Sequence, residues 1–377
     1  MRNIALCMQL SDFYEHGIAR GVVRYAKAKP DWRLFGYGWM FRSLESLDGW
    51  KGDGIIARIE SEEQASRLDA LGLPLVDVAG AHKRKSFRAV TNDDALTGRA
   101  AARHLEYCGF RRFAFLGVAG TGWSARRRSG FEDALGQAWP AFERELAWWE
   151  AQVEGDESLA SFLRGLELPC ALFACNDTTG LRATELARRL GIAVPESLAI
   201  LGVDNEDILC ELASPSLSSI ALDCETIGYE AARALDSVLD GDGPAEGSRI
   251  EVPPRDVSER ESTRVYCCPD QLVARAATYI RGHAHEGIDV DDILSVVAAS
   301  RRSLEIRFRE AMGRSLHDEI VRARLARAKK LMRESGEGLD SIASASGFGA
   351  LGRFHAVFKE LEGTSPGEWR KRNCGKP

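Results

Sequence analysis

Apolar and polar positions change rhythm once along this chain. Up to about residue 257, short apolar runs alternate with stretches of helical period. Ile4–Met8 precedes a helical pattern over His16–Ala28, and Trp32–Tyr37 precedes Leu44–Trp50. Gly54–Ala57 leads to Glu62–Leu71, while Leu75–Val78 and Ala89–Thr91 lead to Ala95–Tyr107. Phe113–Gly117 leads to Arg126–Leu135, and Cys170–Ala174 leads to Thr179–Leu190, with Leu198–Val203 following. Strands alternating with helices predict parallel sheets covered on both faces, and about 250 residues of them predict two lobes. Gly72–Pro74 and Gly191–Pro195 are helix stops followed by strand entries. Beyond Tyr266 the strand-like runs cease and every segment reads as helix.

That helical tail contains an internal repeat. Phe308-Arg309-Glu310-Ala311-Met312-Gly313-Arg314-Ser315 and Phe358-Lys359-Glu360-Leu361-Glu362-Gly363-Thr364-Ser365 share Phe, a basic residue, Glu, Gly and Ser at an offset of 50. Leu304 and Phe354 lie four residues before each Phe, on the same helix face, and each Gly stands where a helix C-cap needs one. Upstream of each copy is a second short apolar stripe. The first is Val290, Ile293, Leu294 and Val297 after the capping Asp289; the second is Leu339, Ile342 and Ala343. Ala298–Ser300 and Gly347-Phe348 make the turns. Helix, tight turn, helix, occurring twice, is a duplicated helix-turn-helix. The helix Leu316–Ser335 between the units carries Arg322, Arg324, Arg327, Lys329, Lys330 and Arg333. Units entering successive major grooves on one face of DNA would sit about 34 Å apart.

A net charge of −6 argues against a polyanionic partner until its distribution is seen. Residues 271–377 hold 19 Lys and Arg against 14 Asp and Glu, while the first 270 residues hold 31 against 42. A basic tail on an acidic body fits a nucleic-acid-binding module carried by a receiver. Ser300 is the expected cap of the first recognition helix, where Arg301, Arg302 and Glu305 can meet base edges. Arg353 and His355 are the polar candidates in the second. Gly349 and Gly352 each lower helix propensity by roughly 1 kcal/mol, so the second unit is expected to be softer. Nine cysteines at irregular spacing, with no Cys-x-x-Cys pair, do not outline a zinc site; they read as small buried hydrophobes of a reducing compartment. No stretch approaches the ~18 apolar residues of a membrane span, and the first apolar run is too short for a signal segment. A cytoplasmic protein with no membrane partner is expected.

In the receiver, polar residues gather at the ends of expected strands, where open α/β sheets bind ligands. These are Asn92-Asp93, Trp123 with Arg127, Asn176-Asp177 and Asp204-Asn205. Carboxylates and Asn can each hold two sugar hydroxyls, Arg donates to hydroxyl or ring oxygens, and an aromatic ring covers the apolar face of a pyranose. Taken singly, Asp93 and Asp177 read equally well as helix caps.

Residues 271–373 resemble the AraC-type DNA-binding domain. The likeness is carried by Ser300-Arg301-Arg302-Ser303-Leu304-Glu305-x-x-Phe308 and by Ile342-Ala343, Gly347-Phe348, Phe354, Phe358-Lys359, Gly363-x-Ser365-Pro366 and Trp369-Arg370. Residues 3–262 resemble the LacI and periplasmic sugar-binding fold through Ala174–Asp177, Gly191-x-x-Val194-Pro195-Glu196, Leu201–Asn205, Pro215-x-Leu217-Ser218-Ser219-Ile220 and Ser124-x-x-Arg127-x-x-Gly130-Phe131. That resemblance implies an effector cleft holding Arg127, Asn176 and Asp204. The fusion of the two is similar to the xylose-operon regulator family along its length, at Tyr14-Glu15, Gly52–Ala57, Trp123-x-x-x-Arg127 and Val203–Glu206 among others. It implies a D-xylose effector and activation of sugar-catabolic genes.

The expected architecture is therefore an α/β two-lobed periplasmic-binding-protein-like (LacI-type) receiver plus an all-α C-terminal domain with two helix-turn-helix units. The receiver is expected over 1–258, with lobe 1 about 1–112 and 222–258 and lobe 2 about 113–221. A linker over 259–270 and a DNA-binding domain over 271–377 complete it. Expected effector-binding residues are Tyr14, Glu15, Asp93, Trp123, Arg127, Asn176, Asp177 and Asp204. Expected partners are promoter DNA, a small sugar, a second copy of the chain and, by the resemblance, RNA polymerase. No cofactor is expected. Two rival readings are a regulator of this architecture sensing another carbohydrate and a transport-type sugar-binding protein. An NAD-type enzyme is disfavoured, because Gly117-x-x-Gly120-x-Gly122 lacks the G-x-G-x-x-G spacing and no catalytic pair is evident.

Overall fold

The computed structural model describes residues 1–10, 12–36, 50–80, 87–150, 157–268 and 270–373. The expected helix at Leu44–Trp50 lies almost wholly outside them, as does Tyr37 at the end of the second apolar run. The chain begins with β1 (Arg2–Cys7), α1 (Phe13–Lys27), β2 (Trp32–Gly36), β3 (Gly54–Ala57), α2 (Glu62–Ala70), β4 (Leu75–Asp77) and β5 (Arg88–Asn92). It continues through α3 (Asp94–Tyr107), β6 (Phe113–Val118), α4 (Gly122–Leu135), β7 (Ala141–Arg144), α5 (Leu146–Glu150), α6 (Glu157–Arg164) and β8 (Cys170–Ala174). Then come α7 (Asp177–Arg189), β9 (Leu198–Asp204), α8 (Asp207–Leu212), β10 (Ser218–Ala221), α9 (Cys224–Leu239), β11 (Arg249–Val252) and β12 (Val257–Ser258). Two six-stranded sheets result, ordered β11-β5-β4-β3-β1-β2 and β12-β10-β9-β8-β6-β7. Their pairings are parallel except for β10 with β12. The strands β3, β6 and β8 are buried along their whole length, as strands covered on both faces must be. The short strands β7, β10, β11 and β12 were not evident as apolar runs, since two to four residues with few β-branched side chains give little pattern.

The expected lobe boundary at residue 112 moves to residue 93. Helix α3 packs on α4, in the second lobe, and not on the first sheet. Glycine makes that packing possible. A Cβ on Gly98 would stand 2.0 Å from the carbonyl oxygen of Arg127, and one on Gly130 would stand 2.0 Å from that of Ala95. The chain thus passes between lobes three times: at Asp93, at Leu222–Asp223 and through the strap Pro253–Asp256. Residues 259–263, expected as linker, are stitched into lobe 2. Ser262 and Thr263 are fully buried; Ser262 donates to Ile200 O and accepts from the Ser218 amide.

The C-terminal part contains α10 (Gln271–His283), α11 (Val290–Val296), α12 (Arg301–Met312), α13 (Leu316–Glu334), α14 (Leu339–Ala345), α15 (Leu351–Glu362) and α16 (Pro366–Asn373). The repeat is visible as structure. Leu304 and Phe308 are fully buried in one unit, Phe354 and Phe358 in the other. Gly313 and Gly363 end α12 and α15 in the left-handed conformation, at φ 67° and 69°. The two units have separate apolar cores joined by α13, with Ile320 in the first and Leu325, Ala328 and Met332 in the second.

The first unit is seated on lobe 2. Tyr107, the last residue of α3, packs against its core and donates to Glu319 Oε1 at 3.1 Å. Glu319 is fully buried and also receives Tyr266 and Arg314; Arg281 pairs with Glu259 at 3.5 Å. Burial pushes the Glu319 carboxyl up to about 7.

Adding a methyl at the α3–α4 crossing separates two backbones in contact. Gly98→Ala is expected to lower stability by about 1–3 kcal/mol, read as a lower urea midpoint; an unchanged midpoint would mean that the helices do not touch there.

Candidate functional site

The ends of the two sheets face one another where the three crossings meet, and Arg127 lies at their centre. It is 5% exposed. Its Nε donates to Asp94 Oδ1 at 3.1 Å, its Nη1 donates to the Cys175 carbonyl, and Asp204 Oδ1 lies 3.8 Å from Nη1. The guanidinium stands 5.0 Å from the Trp123 ring centre. Arg126 takes the other oxygen of Asp94 at 2.8 Å. Asn92 donates to Asp94 and Thr97, fixing the start of α3. Burial works against the charge of Arg127, but Asp94 and then Asp204 more than offset it and hold its pKa above the ordinary value.

Lobe 1 contributes a second charged group. Arg58, just past the end of β3, pairs with Asp12, with Glu60 at 2.9 Å and with Glu15 at 3.6 Å. It stands 5.5 Å from the Tyr14 ring, and the Tyr14 hydroxyl donates to Val78 O at 2.8 Å. Burial raises the Tyr14 phenol well above its usual range, with Cys224 and Asp94 adding to the effect. Asp204 feels Asp12 and Arg58 as well as Arg127, so both lobes act on one carboxylate.

The expected cleft residues divide into two groups. Tyr14, Trp123, Arg127 and Asp204 lie together where the lobes meet. The others serve local structure. Asp93 caps α3 by accepting from the Leu96 amide at 2.8 Å, and Asn176 caps α7 through the Thr179 amide at 2.9 Å. Glu15 is buried against Arg58 and the Gln9 amide. Asp177 is 1% exposed and accepts from Ser219 Oγ, the Glu206 amide and Cys210 Sγ, which fastens the loop after β9. Above it, Asp204 and Asn205 take positive φ values of 107° and 56°. Two successive non-glycine residues in that region are strained backbone, held where the lobes meet.

Three residues were missed. Asp94 follows Asp93, and which of two adjacent carboxylates caps and which projects is set by the entry angle of the helix. Arg58 and Asp12 stood at a strand end and before a helix, and that position was their only signal.

The C-terminal domain presents its expected residues unevenly. Ser300 caps α12 through the Ser303 amide at 3.3 Å, while the Ala350 position before α15 offers no side-chain cap. Arg301 is exposed but held by Asp291 at 3.3 Å and Glu305 at 3.1 Å. Arg302, Arg353 and His355 are exposed. Much of the basic helix is structural: Arg324 is buried and donates to Ala284 O and Ile288 O, Arg327 donates to Ala345 O, and Lys329 pairs with Glu362.

Burial raises the pKa of Asp177, and Asp204 beside it adds to the shift; desolvation raises Asp204 against the opposing Arg127. Both groups hold a proton more tightly folded than unfolded, where carboxylates titrate near about 4. Their share of stability is therefore present in acid and lost as pH rises through the folded values. Urea titrations over roughly pH 5 to 8 should show a falling slope that Asp177→Asn flattens; equal slopes in both proteins would count against the raised values.

The two halves match known families separately and together. The XylR N-terminal domain matches residues 3–92, a periplasmic binding protein-like domain matches 102–263, and a helix-turn-helix domain matches 293–372. The chain is 31% identical to the xylose operon regulatory protein of Escherichia coli K12, over 98% of this chain and 97% of that protein. It is 28% identical to the protein of the same name from Haemophilus influenzae, over 98% of each. Among solved structures it is similar to the xylose-binding transcription activator xylR, with a TM-score of 0.60, 29% identity and 99% of each chain covered. A transcriptional regulator CelR–cellobiose complex shares the receiver fold, with a TM-score of 0.57 over 69% of this chain and 84% of that one. Joined to two helix-turn-helix units on one polypeptide, these matches mean that the chain belongs to the xylose operon regulatory protein family of sugar-sensing, DNA-binding transcription regulators.

Proposed function

We propose that the cleft binds D-xylose or a closely related monosaccharide and that its closure switches the chain to activate sugar-catabolic genes. The observation that carries this is the setting of Arg127, between Asp94 and Asp204 and over Trp123. The cations of each lobe are already paired within it, Arg127 and Arg126 with Asp94 and Arg58 with Asp12 and Glu60. Such a cleft is strongly polar with its cations already paired, which leaves none free for an anionic ligand and suits one rich in hydroxyls. Asp94 and Asp204 accept from sugar hydroxyls, Arg127 donates to them, and Tyr14 and Trp123 cover apolar ring faces. Asp93, Asn176, Asp177 and Glu15 shape the walls. The names of the relatives support xylose as the sugar.

On DNA, Arg302 is the leading base reader of the first unit, because Arg301 is shared with Asp291 and Glu305. Ser300 orients that helix, and Arg353 and His355 serve the second unit. The regulator works in the cytoplasm as a homodimer and contacts RNA polymerase when bound upstream of a promoter. Among the described residues no helix is long and apolar enough to cross a membrane. Lobe closure changes the placement of the DNA-binding domains, since only a ligand that prefers one state can shift the balance.

A thermal-shift screen of pentoses and hexoses tests the effector. D-xylose at about 100 times its Kd should add about 2.7 kcal/mol, a rise of roughly 5–10 °C in Tm. Arg127→Lys keeps the charge but loses the planar fork, and should lose that rise. A screen in which no sugar shifts the wild-type protein would overturn the reading.

For DNA, Arg302→Ala should relax preference at one base position at a cost of about 1–3 kcal/mol on the preferred sequence. A uniform loss across random sequences would reduce Arg302 to a phosphate contact.

A further inference from the structure

The strap Pro253–Asp256 is one of the three passages between lobes, and its last residue touches the DNA-binding domain. Asp256 Oδ2 lies 2.6 Å from Lys329 Nζ and 3.6 Å from Arg333 Nη2, both on α13. The strap is also anchored to the end of β10 in lobe 2 and tied by Arg255 to a second passage. The Arg255 amide donates to Ala221 O at 2.8 Å, the Ala221 amide donates to Asp256 O at 3.3 Å, and the Arg255 side chain pairs with Asp223 at 2.7 Å. The two hinge segments are therefore tied together where they join lobe 2, with Asp256 at the lobe 2 end of its strap.

Lys329 and Arg333 belong to the second helix-turn-helix unit. Lys329 also pairs with Glu362 on α15 at 2.9 Å, and both cations face the Trp369 ring at 5.3 and 5.4 Å. Trp369 is part of that unit's core. The first unit, by contrast, is seated on the body of lobe 2 through Tyr107, Tyr266 and Glu319. Ten residues separate Glu319 from Lys329 on α13, about 15 Å along its axis. One helix is thus held at one end by a lobe and near the other by the hinge.

We propose that the contact of Asp256 with Lys329 and Arg333 transmits lobe position to the second helix-turn-helix unit. The first unit rides rigidly with lobe 2. When the lobes rotate, the tied hinge segments turn about this anchor on β10 and re-aim the Asp256 carboxylate, which loads or releases α13 beyond Glu319. The second unit, whose recognition helix starts without a side-chain cap, is the part set free or held. This rests on the sugar-driven closure proposed above.

Hydrogen–deuterium exchange on the full chain, with and without D-xylose, separates the two ideas. In the wild-type protein D-xylose should change exchange at the cleft, around Asp94, Arg127 and Asp204, and also over Leu339–Ala345 and Leu351–Glu362. In Asp256→Asn the cleft should respond as before and the second unit should not; Asp256→Glu should restore its response. Arg333→Gln, which weakens the contact from the other side, should reduce the response even where Asp256→Asn folds poorly. A second unit that stays silent in the wild type while the cleft responds overturns the relay. So does a response that persists undiminished in Asp256→Asn or Arg333→Gln. A cleft silent to D-xylose and to other pentoses and hexoses would overturn the sugar reading and take the relay with it.

Discussion

A guanidinium removed from water must find anionic or carbonyl partners on several sides, or the fold that buries it does not form. Arg127 meets that condition by drawing on three elements at once: Asp94 from the start of α3, the Cys175 carbonyl after β8, and Asp204 at the end of β9. Its position depends in turn on α4 lying backbone-to-backbone against α3, which Gly98 and Gly130 allow. A distortion at the glycine crossing is felt at the charge, and a lost charge partner is felt at the crossing. The strained backbone of Asp204 and Asn205 is held by the same framework, with Asp177 as its buried post.

The sequence announced the two-lobed architecture and the duplicated helix-turn-helix with little ambiguity, for a physical reason. Both rest on periodicities that burial enforces: continuous apolar strands under two layers of helix, and an apolar pair four residues apart followed by a left-handed Gly. Phe308, Phe358, Gly313 and Gly363 take up those roles in the structure. What stayed illegible depended on which way a helix enters. Asp93 and Asp94 are chemically identical neighbours, and only the packing of α3 makes one a cap and the other the partner of Arg127. The lobe boundary was misplaced for the same reason, because nothing local says which sheet an amphipathic helix covers. The basic run of α13 counted towards a nucleic-acid-binding domain, yet a cation can equally bind the carbonyls of a neighbouring turn, and Arg324 and Arg327 do so.

The two DNA-binding units are unequal in ways that agree with one another. The first has a capped recognition helix, a buried carboxylate tying it to the receiver and an exposed Arg302. In the second the recognition helix starts after a left-handed Gly349 and lacks the cap, and the unit meets the receiver at Asp256, an ion pair partly open to solvent. A firm unit and a compliant one on a shared helix let one site of contact stay fixed while the other adapts.

The triple crossing has a consequence for how the molecule is made. Lobe 1 is not contiguous: its sheet is completed by β11 and its α1 is covered by α9, both of which come after all but the last strand of lobe 2. A growing chain emerging from a ribosome must therefore hold the Gly17–Gly21 face of α1, and the open edge of β5, uncovered until synthesis is well past its midpoint. Lobe 2 finishes only when β12 arrives, a few residues after β11, so both lobes close almost together. The DNA-binding domain, whose helices have their own cores, follows onto a receiver that has only just become whole.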